Sequence, residues 1–134
     1  MTAFFDTNVL VYAFLDPEKR PQAIETLARG GAISAQVLNE FTNVARNKRQ
    51  REWPEIEAAV ILIRERMPDV VPLTAETHAA ALSLARDHGL SFYDALIVAS
   101  AIEAGCDTLW TEDMQHGRII GGLTIRNPFL GSTE

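Results

Sequence analysis

Cysteine is nearly absent: Cys106 stands alone among 134 residues, so no internal disulfide can form. That agrees with a reducing compartment, and with no base beside it in sequence Cys106 is expected to be buried and not a nucleophile. A basic balance is also missing. Lys and Arg total 12 against 18 Asp and Glu, a net charge of −6. A domain that gripped nucleic acid by overall charge would show the opposite sign. No apolar run approaches the roughly 20 residues that a membrane-spanning helix requires. No basic leader followed by an apolar stretch is visible either, because the apolar material near the N-terminus is broken by Asp6 and Asn8. The expected location is the cytoplasm, away from membranes. Repeats, linkers and low-complexity segments are lacking too. With 47% hydrophobic and 22% charged residues, residues 1–134 read as one soluble globular domain.

What is present begins with Ala3-Phe4-Phe5, an apolar run without polar alternation, which fits a strand covered on both faces. It stops at Asp6. A short helix to Leu15 follows, ended by Asp16-Pro17, then a second helix to Arg29 closed by Gly30-Gly31. Ala32-Ile33-Ser34 reads as a brief strand, and a helix from Ala35 to about Arg46 carries Val37, Phe41 and Val44 on its apolar stripe with Glu40 on another face. Trp53-Pro54 opens a helix that Pro68 closes, and Val70-Val71 forms a short strand. Thr74 caps a helix that turns off at His88-Gly89. Ser91 and Asp94 have capping-box spacing ahead of a helix to Ala104, apolar nearly all round and so expected to be buried. Strands at Thr108–Thr111 and Leu123–Arg126 complete the chain, before Asn127-Pro128-Phe129 and a small polar tail.

Short strands alternating with helices imply right-handed crossovers, and hence a three-layer α/β/α domain around a short, mostly parallel central sheet. The carboxyl ends of the strands then share one edge, where ligands bind in such sheets. Asp6 and Asp113 each follow a strand, while Glu40 and Asp94 lie in the early turns of helices that open from that edge. Each alone has a plainer explanation as a cap, an exposed helix residue or a turn residue. Gathered together, carboxylates raise one another's pKa unless a cation is present. Magnesium or manganese, which prefer oxygen ligands and keep several waters, would relieve the repulsion. Such an ion also lowers the pKa of an attacking water, supplying a nucleophile that these side chains lack. The chemistry suggested is metal-assisted phosphodiester hydrolysis. Arg46, Lys48, Arg49 and Arg51 form the one dense basic stretch, either a solvated loop or a patch that steers phosphates toward the acids.

FDTNVL around Asp6, the pair Asn39-Glu40, FYDALIVASA around Asp94, LWTEDM around Asp113 and the closing NPF at 127–129 occur in an order and spacing that resemble the PIN-domain ribonucleases. The likeness is to the VapC toxins of type II toxin–antitoxin pairs and spans almost the whole chain. By position, Asp6, Glu40, Asp94 and Asp113 match that family's acidic quartet, and Asn8 and Thr111 its polar companions. The resemblance implies a PIN-like fold and an endoribonuclease dependent on magnesium or manganese, with Asp6 and Asp94 as direct ligands. Glu40 and Asp113 would ligate through water or orient the nucleophile, while Asn8 and Thr111 hold the acids by hydrogen bonds. It further implies a homodimer, an RNA substrate held through phosphate and 2′-OH contacts with an unpaired loop toward the metals, and inhibition by a small VapB-like antitoxin in a hetero-oligomer. Some relatives carry a further acid just after the last motif. Here Met114-Gln115-His116 stand there, so a fifth acidic ligand is in doubt, and Glu112 is the nearest substitute.

Rival readings are a PIN-type nuclease of RNA processing or DNA repair without an antitoxin, and a non-catalytic module whose acids only cap helices. No break in the quartet favours the latter. A haloacid-dehalogenase-like phosphatase needs a second acid two residues after the first, where Asn8 stands. A metal-independent ribonuclease needs neighbouring bases, but His78, His88 and His116 are scattered, and the first two read as helix-surface residues.

Overall fold

A computed structural model describes residues 2–130; the polar tail expected after Phe129 lies, from residue 131 on, outside the described residues. β1 (Ala3–Phe5) is buried throughout, as its unbroken apolar run requires. It leads into α1 (Thr7–Leu15), capped by Asp6, and α2 (Arg20–Leu27), which has Pro21 in its first turn. The turn that ends α2 comes slightly earlier than the sequence suggested, with the Gly30 N–H reaching the Leu27 carbonyl at 3.0 Å. β2 (Ile33–Ser34), α3 (Ala35–Asn43), α4 (Trp53–Arg66), β3 (Val70–Val71), α5 (Ala75–His88), α6 (Phe92–Glu103), β4 (Thr108–Trp110), β5 (Ile119–Ile120) and β6 (Leu123–Arg126) follow.

The sheet is mostly parallel and flanked by helices, as expected. β4 lies between β1 and β6, all three parallel, and β2 pairs with β3 in parallel. Ala32 stitches the two sets together: it accepts from the Phe5 N–H at 3.0 Å and donates to the Ala3 carbonyl at 2.9 Å. Gly31 makes that approach feasible, because a Cβ there would stand 2.7 Å from the Ala3 carbonyl oxygen and 2.6 Å from the Phe5 ring. From β1 the chain moves outward to β2 and β3, then returns to add β4 on the opposite side. The direction of winding thus reverses between β1 and β4, and a crevice opens at their carboxyl ends.

α6 lies against the sheet and against α5, and its residues Ala95 to Ala101 are all buried, matching its apolar circumference. Two features depart from sequence expectation. The helix begun by α3 continues past Arg46 as a π-helical turn, Val44–Lys48, in which the Arg49 N–H reaches the Val44 carbonyl at 3.0 Å. The turn sits where arginines bind other segments: Arg49 Nη1 and Arg51 Nη2 donate to the Leu15 carbonyl at 3.2 and 3.3 Å. Such turns recur at functional sites. β5 pairs antiparallel with β6 through a two-residue turn, Gly121-Gly122, both at positive φ. Ile-Ile-Gly-Gly-Leu was the signal for that hairpin, since this turn favours glycine at both positions. Among the described residues no helix is long and apolar enough to cross a membrane.

Gly31→Ala is expected to lower unfolding stability by about 1–3 kcal/mol, the usual range for overpacking. The urea midpoint should fall accordingly; an unchanged midpoint would mean that Ala32 can pair with β1 without the close approach.

Candidate active site

The β1–β4 ladder carries one residue beyond both strands. Asp6 donates its N–H to the Trp110 carbonyl at 3.0 Å, and Thr111 donates its N–H to the Arg126 carbonyl at 2.9 Å. Asp6 and Thr111 thus leave adjacent strands side by side, and the Thr111 hydroxyl donates to Asp6 Oδ2 at 2.8 Å. Asp6 Oδ1 accepts the Thr7 N–H at 2.7 Å, which caps α1. The plain reading of Asp6 as a helix cap holds, and the same residue lines the cleft.

All four acids singled out in the sequence line one cleft of about 630 Å³ at this switch point: Asp6, Glu40, Asp94 and Asp113. Glu40, half-buried on α3, accepts from the Thr7 hydroxyl at 2.8 Å. Sequence reasoning missed Thr7, whose signal was its place directly after Asp6. Asn8 donates through Nδ2 to Asp113 Oδ2 at 3.0 Å and accepts the Glu112 N–H at 3.2 Å. Thr111 Oγ1 also accepts the Asp113 N–H at 3.1 Å. An acid at position 8 would lack the donor that holds Asp113. Ser91 caps α6 by accepting the Asp94 N–H at 3.3 Å, but no reciprocal bond from the Asp94 carboxylate to the Ser91 backbone completes a capping box among the described residues.

Burial pushes the Asp6 carboxyl up to about 7, against the lowering effect of the Thr111 and Thr7 hydrogen bonds, with the charges of Asp113 and Glu40 raising it further. Repulsion between the acids is therefore the lesser cause here; desolvation is the greater. Asp94 is also raised, first by burial and then by Asp113, while the Ser91 hydroxyl works the other way. An all-oxygen donor set with one carboxylate this unwilling to ionise is the chemistry that a hard dication matches. Among the described residues no three His, Cys, Asp or Glu side chains close around a single point. An ion held by these oxygens would have to complete its shell with several waters, as magnesium commonly does.

The PIN domain family model matches residues 3–121. The chain belongs to the PIN domain family. Solved structures share this PIN fold at low identity. A toxin-antitoxin complex from Klebsiella pneumoniae has a TM-score of 0.72 at 22% identity, covering 96% of this chain and 98% of that one. VapBC2 from Rickettsia felis, bound to a DNA fragment from its promoter, gives 0.69 at 23%, with 95% and 98% covered. VapC20 from Mycobacterium tuberculosis, described as a Sarcin-Ricin loop cleaving toxin, gives 0.67 at 20%, with 81% and 87% covered. A biotin synthase from Natronomonas pharaonis is 33% identical over 64 residues, or 48% of this chain; the match spans only 17% of that relative's length.

Other residues of the PIN domain stand apart from the acids. Glu112 does not line the cleft with the four acids: it accepts from Lys19 Nζ at 2.7 Å and from the hydroxyl of Tyr12, which does line it. Its carboxyl is pushed up by burial but brought below the usual range by those two partners. His116 accepts the Asn127 N–H at 2.9 Å, and exposed His78 packs against Phe92. Cys106 is half-buried, less covered than expected, and burial raises its thiol pKa. The basic stretch divides. Lys48 and Arg49 line the cleft. Arg46 donates to the Arg51 carbonyl at 3.0 Å and lies 4.7 Å from the Trp53 ring centre, while Arg51 pairs with Glu55 at 2.7 Å.

A carboxyl raised when folded binds protons that the unfolded chain releases, so its charge destabilises the fold above the unfolded value and costs most above the folded one. Metal-free protein should therefore lose stability as pH rises from about 4 through 7, by about 1.4 kcal/mol for each pH unit crossed. Asp6→Asn should melt at or above wild type at pH 8 in chelator and lose most of this slope. Parallel pH profiles of melting temperature for the two proteins check it.

Proposed function

We propose that this PIN domain is a metal-dependent endoribonuclease acting in the cytoplasm as the toxin of a toxin–antitoxin pair. The observation that carries it is the convergence of Asp6, Glu40, Asp94 and Asp113, from four separate segments, on one cleft at the switch point. Family membership supports nuclease chemistry, and the relatives crystallised as toxin–antitoxin complexes support a small VapB-like inhibitor and a hetero-oligomer. A homodimer is part of the same reading.

Asp6 and Asp94 would hold magnesium or manganese directly, with Glu40 and Asp113 binding through water. The bound ion supplies a water of lowered pKa and a polarised phosphoryl oxygen. Thr111 and the Thr7 N–H fix the Asp6 carboxylate from one side each, leaving its remaining lone pairs for the cleft. Asn8 holds Asp113 against drift, and the Thr7 hydroxyl does so for Glu40. Glu40 and Asp113, less buried than Asp6, orient the attacking water and take its proton. On the cleft wall, Lys48 and Arg49 contact phosphates of the RNA strand. Arg46 and Arg51 hold the π-helical turn that presents them.

Manganese at about 100 times its dissociation constant should stabilise wild type by about 2.7 kcal/mol. Asp6→Asn and Asp94→Asn should lose most of that gain and fall to background RNA cleavage. Wild-type products should carry 5′-phosphate and 3′-hydroxyl ends, because a metal-activated water needs no 2′-OH attack. Equal metal response in all three proteins, or cyclic phosphate ends, would sink the mechanism.

For the basic stretch, Lys48→Gln should weaken RNA binding and reduce the slope of log K against log salt by about 0.7, the value for one phosphate contact on a single strand. Arg46→Gln and Arg51→Gln should leave the slope nearly unchanged while lowering the melting temperature. Titrations at several salt concentrations separate the two roles.

A further inference from the structure

Beside the acids, the same cleft carries groups that metal chemistry does not use. Tyr93 immediately precedes Asp94, lines the cleft and is 62% exposed. Its ring is set edge-on to Phe92, with centroids 5.9 Å apart and planes at 69°, and Phe92 in turn packs on His78 at 5.2 Å. The aromatic surface is therefore held in place but left uncovered. Trp53, the other exposed large aromatic among the described residues, differs in carrying the Arg46 guanidinium on its ring. From the α3 side, Gln36 lines the cleft with 9% of its surface exposed, and among the described residues its side-chain amide makes no hydrogen bond while keeping access to the cleft. An amide that has no protein partner and reaches the cleft is free to donate to and accept from a polar ligand there.

We infer that the cleft contains a nucleobase subsite, in which an unpaired base of single-stranded RNA stacks on Tyr93 and is read at its edge by the Gln36 amide. It rests on the nuclease reading above, whose substrate is already an unpaired RNA, and adds the two side chains that receive a base. Stacking accepts any base, because every base has a π-face. An amide presents a donor and an acceptor side by side and therefore discriminates among base edges. A paired base offers neither its face nor its Watson–Crick edge, so duplex RNA is refused. At about 630 Å³ the cleft lies within the 300–1,000 Å³ typical of small-ligand sites, with room for a base beside the acids.

The test uses a single-stranded RNA octamer carrying 2-aminopurine, whose fluorescence is quenched by stacking, with the whole protein in chelator. Wild type and Tyr93→Phe should quench it. Tyr93→Ala should abolish quenching and weaken binding about tenfold, alike for A, C, G and U octamers. Because Tyr93 is exposed, its melting temperature should stay at the wild-type value. Gln36→Leu should keep the quenching but level the affinities among the four octamers. The matching duplex should give no quenching with any of the proteins. Quenching retained by Tyr93→Ala, or absent in wild type, would overturn the platform, and base preferences untouched by Gln36→Leu would overturn the edge contact. Failure of the nuclease reading has a different signature: no manganese-dependent cleavage of any RNA by wild type, with quenching intact.

Discussion

The hydrogen bond from the Asp6 N–H to the Trp110 carbonyl sets the position of almost everything else at the site. It extends the β1–β4 ladder by one residue and so fixes two chain segments more than 100 residues apart to within a hydrogen bond of each other. Everything downstream is local. Asp6 starts α1, α1 presents Thr7 and Asn8 on its first turn, and those two side chains reach Glu40 and Asp113. Thr111, the first residue past β4, joins Asp6 to the loop that carries Asp113. Three acids are thereby ordered by a single strand pairing and three short polar side chains. Asp94 arrives separately, on a helix whose burial against the sheet follows from its own apolar surface.

Electrostatics gives that arrangement its character. A carboxylate buried this deeply would usually be neutral or paired with a cationic side chain. Asp6 has neither lysine nor arginine beside it, only two donors that are themselves neutral. Lysine and arginine are present nearby but engaged differently: Lys19 with Glu112, and Arg51 with Glu55 and the Leu15 carbonyl. Among the described residues none of the four acids forms an ion pair, although Lys48 and Arg49 line the same cleft, so the negative charge of the acids is not neutralised by direct contact with a basic side chain.

Much of this was legible in the sequence because the signals were local. The unbroken apolar run before Asp6 and the continuous apolar surface of α6 each constrain their own segment, and alternation of strands and helices constrains the sheet. Side-chain direction was less legible. Glu112 and Asp113 are consecutive and of like charge, yet one faces Lys19 and Tyr12 while the other faces Asn8. Nothing within three residues of Glu112 specifies that, since its partners lie some 100 positions earlier. The π-helical turn was hidden for the same reason: it sits where arginines reach the end of α1. The β5–β6 hairpin was different, for its glycine pair was visible and went unused. Thr7, too, stood in plain view, but a threonine after an acid reads as an ordinary helix start until Glu40 is known to lie across from it.

The sheet ends on both sides in strands of only two residues, β3 at one margin and β5 at the other. An exposed strand edge is a template on which further chains can add, and the hazard grows with its length and flatness. Here β5 runs antiparallel and turns on two glycines, and β3 is a half-buried pair of valines. Neither margin offers a run of unpaired backbone long enough to recruit another copy. β1 can therefore remain wholly apolar inside the sheet, buried along its length, without making the molecule prone to edge-to-edge aggregation.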